Sequence, residues 1–250
     1  MTTSTTVGTV TPLARPETLA LAATENQRVL ELLRSLGDDD WSRPTDCPDW
    51  DVRALAGHVL GGMEAFASFG EFMHQMRRGR KAAGDRPFID GMTEVQVRDR
   101  AGLTREQLLG RLAEVGPRAA RARGRVPGLL RRLPLKQELP GGTKETWPMG
   151  YLLDVILTRD TWMHRVDIAR ATNRPLVLSP DHDGRIVADV AAEWARRHGQ
   201  PFSLHLGGPA GGRFTSGNGG EEITIDAVEF CRILSGRATG AGLLTQEVPF

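Results

Sequence analysis

Three ionisable residues share the apolar stripe of a helix in "LTRDTWMHRVDIARATNRP", the stretch from Leu157 to Pro175. Asp160, His164 and Asp167 are spaced four and three apart, which places them on one helical face. Leu153, Ile156, Leu157 and Ala171 fall on the same face, while Asp154, Thr158, Thr161 and Arg165 fall on the other. A carboxylate on an apolar stripe is costly unless it is paired or coordinated. Any fold of this chain must therefore bring partners to that stripe.

The surrounding pattern supplies a helical setting. "PETLALAATENQRVLELLRSLG" is periodic at helical spacing, with Gly37 as its expected stop. "DDDWSRPTDCPDW" reads as a turn-rich connection. "DVRALAGHVLGGMEAFASFGEFMHQM" reads as one long helix, capped at its start by Asp49 or Asp51. "RRGRKAAGDRPFIDG" reads as a basic break, and the residues after it as further helix, with a capping box from Thr104 to Gln107. "VPGLLRRLPLKQELPGGTKETWP" reads as a loop, and a strong helix is expected from about Met149 to Thr172.

Beyond "TNRPLVLSPDHDG" the periodicity changes. A helix from about Asp183 to His198 precedes short alternating runs, "FSLHL", "GRFTS" and "EITID", separated by glycine clusters. "AVEFCRILSG" then reads as a helix closed by Gly236. The expected fold class is α+β: an all-helical domain over 13–175, followed by a small α/β domain over 180–250. The first dozen residues read as a flexible tail.

Composition excludes several classes. The formal net charge of +1 gives no global pull toward nucleic acid or a membrane surface. No apolar run reaches spanning length, and the start of the chain lacks a secretory pattern. Two cysteines, Cys47 and Cys231, make no disulfide framework and point to the cytoplasm. Both read as structural. "GGPAGG" and "SGNGG" lack the strand–turn–helix context of a dinucleotide site. "ARARGR" and "RRGRK" lack interleaved aromatics and read as solvated faces.

His58, in "RALAGHVLGG", lies on the core-facing edge of its own helix. Alone it fits a hydrogen-bonded core residue better than a ligand. Together with Asp160 and His164 it makes two imidazoles and a carboxylate on inward helix faces, a set that suits zinc or another late divalent metal. Three protein ligands leave a position open for water or substrate, the catalytic pattern for zinc. Asp167, one turn beyond His164, is placed to orient that ligand or to pair with an arginine.

"WSRPTDCPDWDVRALAGHVLGG" and "GYLLDVILTRDTWMHRVDIARATNRPL" together resemble the mycothiol-dependent maleylpyruvate isomerase family of the DinB-like superfamily. The tail "DAVEFCRILSGRATGAGLL" through "VPF" resembles the smaller sterol-carrier-like domain of such proteins. The resemblance implies a four-helix bundle and a divalent metal, usually zinc, held by His58, Asp160 and His164, with Asp167 adjacent. Where the family's isomerases have Glu, this chain has Asp160. The implied cosubstrate is the low-molecular-weight thiol mycothiol, acting on a small electrophilic substrate by S-transfer or cis–trans isomerisation. An anionic substrate also needs a cation, and a C-terminal arginine is implied: Arg237 in "SGRATG", with Arg213 in "GGRFTSG" as the other candidate. The alternatives are a non-catalytic metal or small-ligand binding module and a thiol-independent biosynthetic metalloenzyme.

Overall fold

A computed structural model describes residues 4–138 and 143–250. Their elements form a helix-rich α+β fold with a small sheet. The chain divides into two units. One is Arg15–Pro175; the other joins Leu176–Phe250 to the chain's start as far as Ala14. The start of the chain is therefore more than a tail. Thr5–Thr6 form a short strand, β1, and Val7 beyond it is buried. Met1–Thr3 of the expected tail lie outside the described residues.

The helical unit begins with α1 (Arg15–Arg34) and a 3₁₀ turn at Asp38–Ser42. Gly37 does not stop α1: its φ is −80°, and its N–H donates to Asp40 Oδ2 at 2.9 Å, opening the 3₁₀ turn. Next come α2 (Val52–Ala67) and α3 (Phe69–Ala83), where the sequence pattern suggests one helix. The interruption is Ser68, whose extended backbone ends α2 and whose hydroxyl accepts from Glu71 N–H to start α3. Of the segment expected as a break, the basic first part, 77–83, continues α3. The turn falls later, at Gly84 (φ +58°), where a left-handed conformation suits glycine.

α4 (Phe88–Arg98) folds back on α3 with backbones almost touching: a methyl on Gly91 would sit 2.2 Å from the Gly79 carbonyl oxygen. α5 (Arg105–Arg125) starts at the expected capping box, with the Thr104 hydroxyl and the Gln107 side chain bonded reciprocally to backbone N–H groups. The expected loop after it holds structure. A short helix α6 (Gly128–Arg131) leads to an antiparallel hairpin of β2 (Pro134–Glu138) and β3 (Lys144–Pro148). Leu135, opposite Trp147, and Gln137 form the inner row of β2, a period of two. Leu139–Gly142 of that stretch lie outside the described residues.

The last helix of this unit begins as α7 (Met149–Tyr151), passes through a π-turn at Leu152–Ile156 and continues as α8 (Leu157–Thr172). Helix pairs α1–α5, α2–α5, α1–α8 and α2–α8 are in contact around a core that includes Leu33, Leu55, Leu60, Leu108 and Ile168. α8 is more deeply buried than its helical wheel suggests. Its polar side is also covered: Arg165 makes two bonds to Glu25 of α1, at 2.6 and 3.2 Å, with both side chains out of water. Arg123 of α5 reaches the Thr158 hydroxyl at 2.7 Å and the Leu153 carbonyl at 2.9 Å.

The second unit places α9 (Arg185–His198) after a π-turn at Pro180–Gly184. The three expected strands form: β4 (Phe202–Gly207), β5 (Gly212–Ser216) and β6 (Glu221–Asp226). α10 (Ala227–Leu234) follows, and Gly236 closes it at φ +77°. The sheet order is β1–β5–β4–β6; β1 runs parallel to β5, β5 antiparallel to β4, and β6 parallel to β4. Trp194, Phe202 and Phe230 meet edge to face at its core.

The α3–α4 contact has a direct test. Gly91→Ala should lower the unfolding free energy by about 1–3 kcal/mol, the usual cost of overpacking. Gly110→Ala, on an exposed face of α5 with nothing within 4 Å, should raise it by roughly 0.5–1 kcal/mol. Urea titration of the two variants checks both signs.

Candidate metal centre

The helical unit brings His58, Asp160, His164 and Asp167 together. α2 carries His58 and is fixed at its start by Asp51, whose carboxylate accepts from Ala54 N–H at 2.8 Å. α8 carries the other three. Ligand atoms of His58, Asp160 and His164 lie within 4.8 Å of one another. Asp160 Oδ1 is 3.2 Å from His164 Nε2, and Asp160 Oδ2 is 3.6 Å from His58 Nε2. The two rings meet edge to face with centroids 4.9 Å apart.

The far side of each ring is engaged elsewhere. His164 Nδ1 is 3.1 Å from Asp167 Oδ2, and Asp167 is fully buried. His58 Nδ1 is 2.8 Å from Gln96 Oε1. Both imidazoles thus turn Nε2 toward the same carboxylate. Such a donor set, two nitrogens and an acid oxygen with outer partners fixing the rings, fits a divalent ion. The histidines are 8 % and 5 % exposed, whereas the Asp160 side chain is 33 % exposed, so the centre reaches water at Asp160.

Electrostatics within the cluster are strong. Burial disfavours charge on Asp160, but attraction to His164 and the hydrogen bond from its ring, with His58 nearby adding to them, outweigh it and hold this carboxyl well below its usual range. Burial likewise works against protonated His164. Asp160, with help from Asp167 and Cys47, overcomes it and raises His164 well above the ordinary imidazole value.

Cys47, read from the sequence as structural, lies beside this cluster, a placement the sequence reading missed. The segment "TDCPDW" folds on itself: Thr45 N–H donates to the Trp50 carbonyl, and the Thr45 hydroxyl accepts from Cys47 N–H. That turn delivers the Cys47 sulfur to 3.5 Å from Asp167 Oδ2 and 3.8 Å from His164 Nδ1. It also sets Trp50 against His58, with ring centroids 5.0 Å apart. Arg170 pairs with Asp46 of the same turn at 3.3 Å. The only sequence signal was proximity of Cys47 to the motif block; nothing local marked an acid or imidazole as its neighbour. Gln96 was missed for the same reason, since its partner is a helix away.

The candidate arginines both belong to the other unit. Arg213 is exposed on β5. Arg237 is half-buried and lines a cavity of about 400 Å³ with Thr239, Leu244 and Glu247.

Fold and centre together define a helix-rich α+β protein with a two-histidine, one-aspartate cluster between helices. The family profile described as the mycothiol maleylpyruvate isomerase N-terminal domain matches residues 22–169, and the chain belongs to that family. Two solved structures share the fold. One is the mycothiol-dependent maleylpyruvate isomerase, at 19 % identity and TM-score 0.56, covering 98 % of each chain. The other is a histidine-to-alanine mutant of the mycothiol-dependent maleylpyruvate isomerase, at 18 % identity and TM-score 0.56, covering 94 % of this chain and 93 % of that one. Among curated proteins none matches the chain.

The pKa shifts predict the pH response of chelator-treated protein. A depressed Asp160 stabilises the fold above about pH 4, and this is lost as pH falls through its folded value. A raised His164 stabilises the fold fully below about pH 6.5, and this is lost as pH rises through its folded value. Thermal melts in chelator should therefore peak between those limits and fall on the alkaline side. Asp160→Asn should flatten both limbs.

Proposed function

We propose that this chain is a divalent-metal-dependent enzyme that uses mycothiol as a thiol cosubstrate for S-transfer to, or cis–trans isomerisation of, a small electrophile. The observation that carries this reading is the convergence of His58 Nε2, His164 Nε2 and the Asp160 carboxylate, with both Nδ1 atoms occupied elsewhere. We assign these three residues as the metal ligands and zinc as the ion, since two imidazoles and one carboxylate suit it. A bound divalent ion supplies a Lewis acid that lets a thiol ionise near neutral pH.

The protein's own groups prepare that chemistry. Asp167 accepts from His164 Nδ1–H and keeps Nε2 available for the ion. We class Asp167 as a catalytic-site residue acting through His164. Asp160 reaches toward both histidines although it is one methylene shorter than the Glu that the resemblance implies, so its length does not exclude it as a ligand. Its exposed edge is where thiol and substrate enter. The two outcomes share one step: the thiolate adds to an electrophilic carbon of a conjugated double bond, forming a C–S bond as the C=C π pair shifts onto the conjugated acceptor. The adduct then takes up a proton and keeps its C–S bond as the transferred product, or it rotates and expels the thiolate as the C=C bond re-forms.

We assign Arg237 rather than Arg213 as the anchor for a substrate anion, supported by its half-buried position in a cavity wall. We also assign the helical unit to the DinB-like four-helix bundle, supported by the mutual contacts of α1, α2, α5 and α8. The second unit is assigned to the sterol-carrier-like class, and the protein to the cytoplasm, supported by its two unbridged cysteines. No helix among the described residues is long and apolar enough to cross a membrane.

Metal analysis tests the centre. Wild-type protein should carry about one ion per chain, and His58→Ala and His164→Ala should lose it. Because His164 is raised, loading chelated protein near neutral pH should release protons, read as a buffer-dependent heat in calorimetry. Metal-free wild type, or alanine variants at full occupancy, would overturn the assignment. In turnover assays with mycothiol, Arg237→Ala should raise KM for an anionic electrophile about tenfold or more, the loss of roughly 1.4 kcal/mol of binding, and leave metal content unchanged. Stabilisation by lipids but not by mycothiol, in a thermal-shift panel, would favour a binding module instead.

A further inference from the structure

We propose that Gln75 and Gln96 form a directional hydrogen-bond relay that fixes the tautomer of His58 and so presents its Nε2 lone pair to the metal centre. The metal half of this inference rests on the proposed function; the tautomer half stands on the hydrogen bonds alone.

The direction of the relay is set at its origin. The Gln75 side-chain nitrogen lies 2.9 Å from the Gly61 carbonyl oxygen and 2.8 Å from Glu71 Oε1. A backbone carbonyl can only accept. Glu71 also accepts, because the Arg100 guanidinium sits 2.8 Å from it and keeps it ionised. Gln75 must therefore point its NH₂ at these two groups, which turns its Oε1 toward Gln96. The Gln96 nitrogen donates to that oxygen at 2.9 Å. Gln96 Oε1 is left facing His58 Nδ1 at 2.8 Å and can only accept there. His58 must then carry a hydrogen on Nδ1. In the neutral ring, the lone pair falls on Nε2, the atom turned toward Asp160.

Both glutamines are sealed from water, at 0 % and 2 % exposure, so water does not compete for these bonds and a reversed amide would leave like atoms face to face. The circuit leaves α2 at Gly61, passes through α3 and α4, and returns to α2 three residues earlier, at His58. Gly61 supplies room as well as an acceptor. A methyl there would lie 2.6 Å from Gln96 Cβ and 2.7 Å from Cγ, displacing the relay without removing a polar group. Gln75 and Gln96 are thus positioning residues.

Two readouts test this. In metal-free protein labelled with ¹⁵N, long-range ring correlations report which His58 nitrogen is protonated when the ring is neutral. Wild type should show the Nδ1–H form, Gln96→Leu should lose it, and Gln96→Glu, which keeps an acceptor, should retain it. Zinc affinity, read by competition with a chromogenic chelator, should weaken about 10–100-fold in Gln96→Leu, the usual cost of losing an outer partner. Gln75→Leu and Gly61→Ala do not touch His58, yet should move both readouts in the same direction by less. They carry the test if Gln96→Leu does not fold. An Nε2–H form in wild type, or folded variants with unchanged tautomer and affinity, overturns the relay. Wild type with the Nδ1–H form but no zinc binding instead removes the proposed function and leaves the tautomer device in place.

Discussion

Helix α8 is surrounded, and the ionisable groups on it must be matched from neighbouring elements. That requirement organises the helical unit. Arg165 draws Glu25 of α1 into the interior. Asp160 and His164 face His58 of α2. Asp167 faces the turn that carries Cys47. Leaving one member of such a buried pair alone costs about 3–5 kcal/mol, whereas an exposed pair such as Arg118–Glu114 contributes less than about 1 kcal/mol. The interior pairs therefore constrain which helices can lie beside α8 far more than the surface charges do.

The same matching explains why the cluster can serve a metal. Each ring has one nitrogen held by a fixed outer group, an acid for His164 and an amide for His58. The outer partners differ in charge. His164, beside two carboxylates, favours its protonated form, whereas His58 meets a neutral acceptor on its far side. A divalent cation bound there would take the place of the proton that the raised His164 holds beside Asp160. Folding and ion binding are then linked through the same few atoms.

Much of this was legible from residue order. Helical phase alone put Asp160, His164 and Asp167 on one face, and the helix start at Asp51 and the capping box at Thr104 are local signals with local partners. What was not legible depends on distant atoms. Ser68 divides one apolar pattern into two helices because a hydroxyl finds an N–H three residues on, and periodicity does not record that choice. The strands at Pro134–Glu138 and Lys144–Pro148 were hidden by Pro and Gly, which mark a hairpin's ends as readily as a loop. Cys47 and Gln96 become site residues only once turn and helix are in place. Arg165, read on the outward face of the wheel, lies inside because Glu25 is there to receive it.

The first strand has a consequence for how the molecule is made. Thr5–Thr6 pair with Phe214 and Thr215, more than two hundred residues further along the chain. As the polypeptide leaves the ribosome, the elements between Arg15 and Pro175 are all available before β5 exists. The helical unit can close early, while the edge of the later sheet waits with an unpaired leading end. Completion of β1 is thus a late event by topology, since its partner β5 emerges only after the whole helical unit.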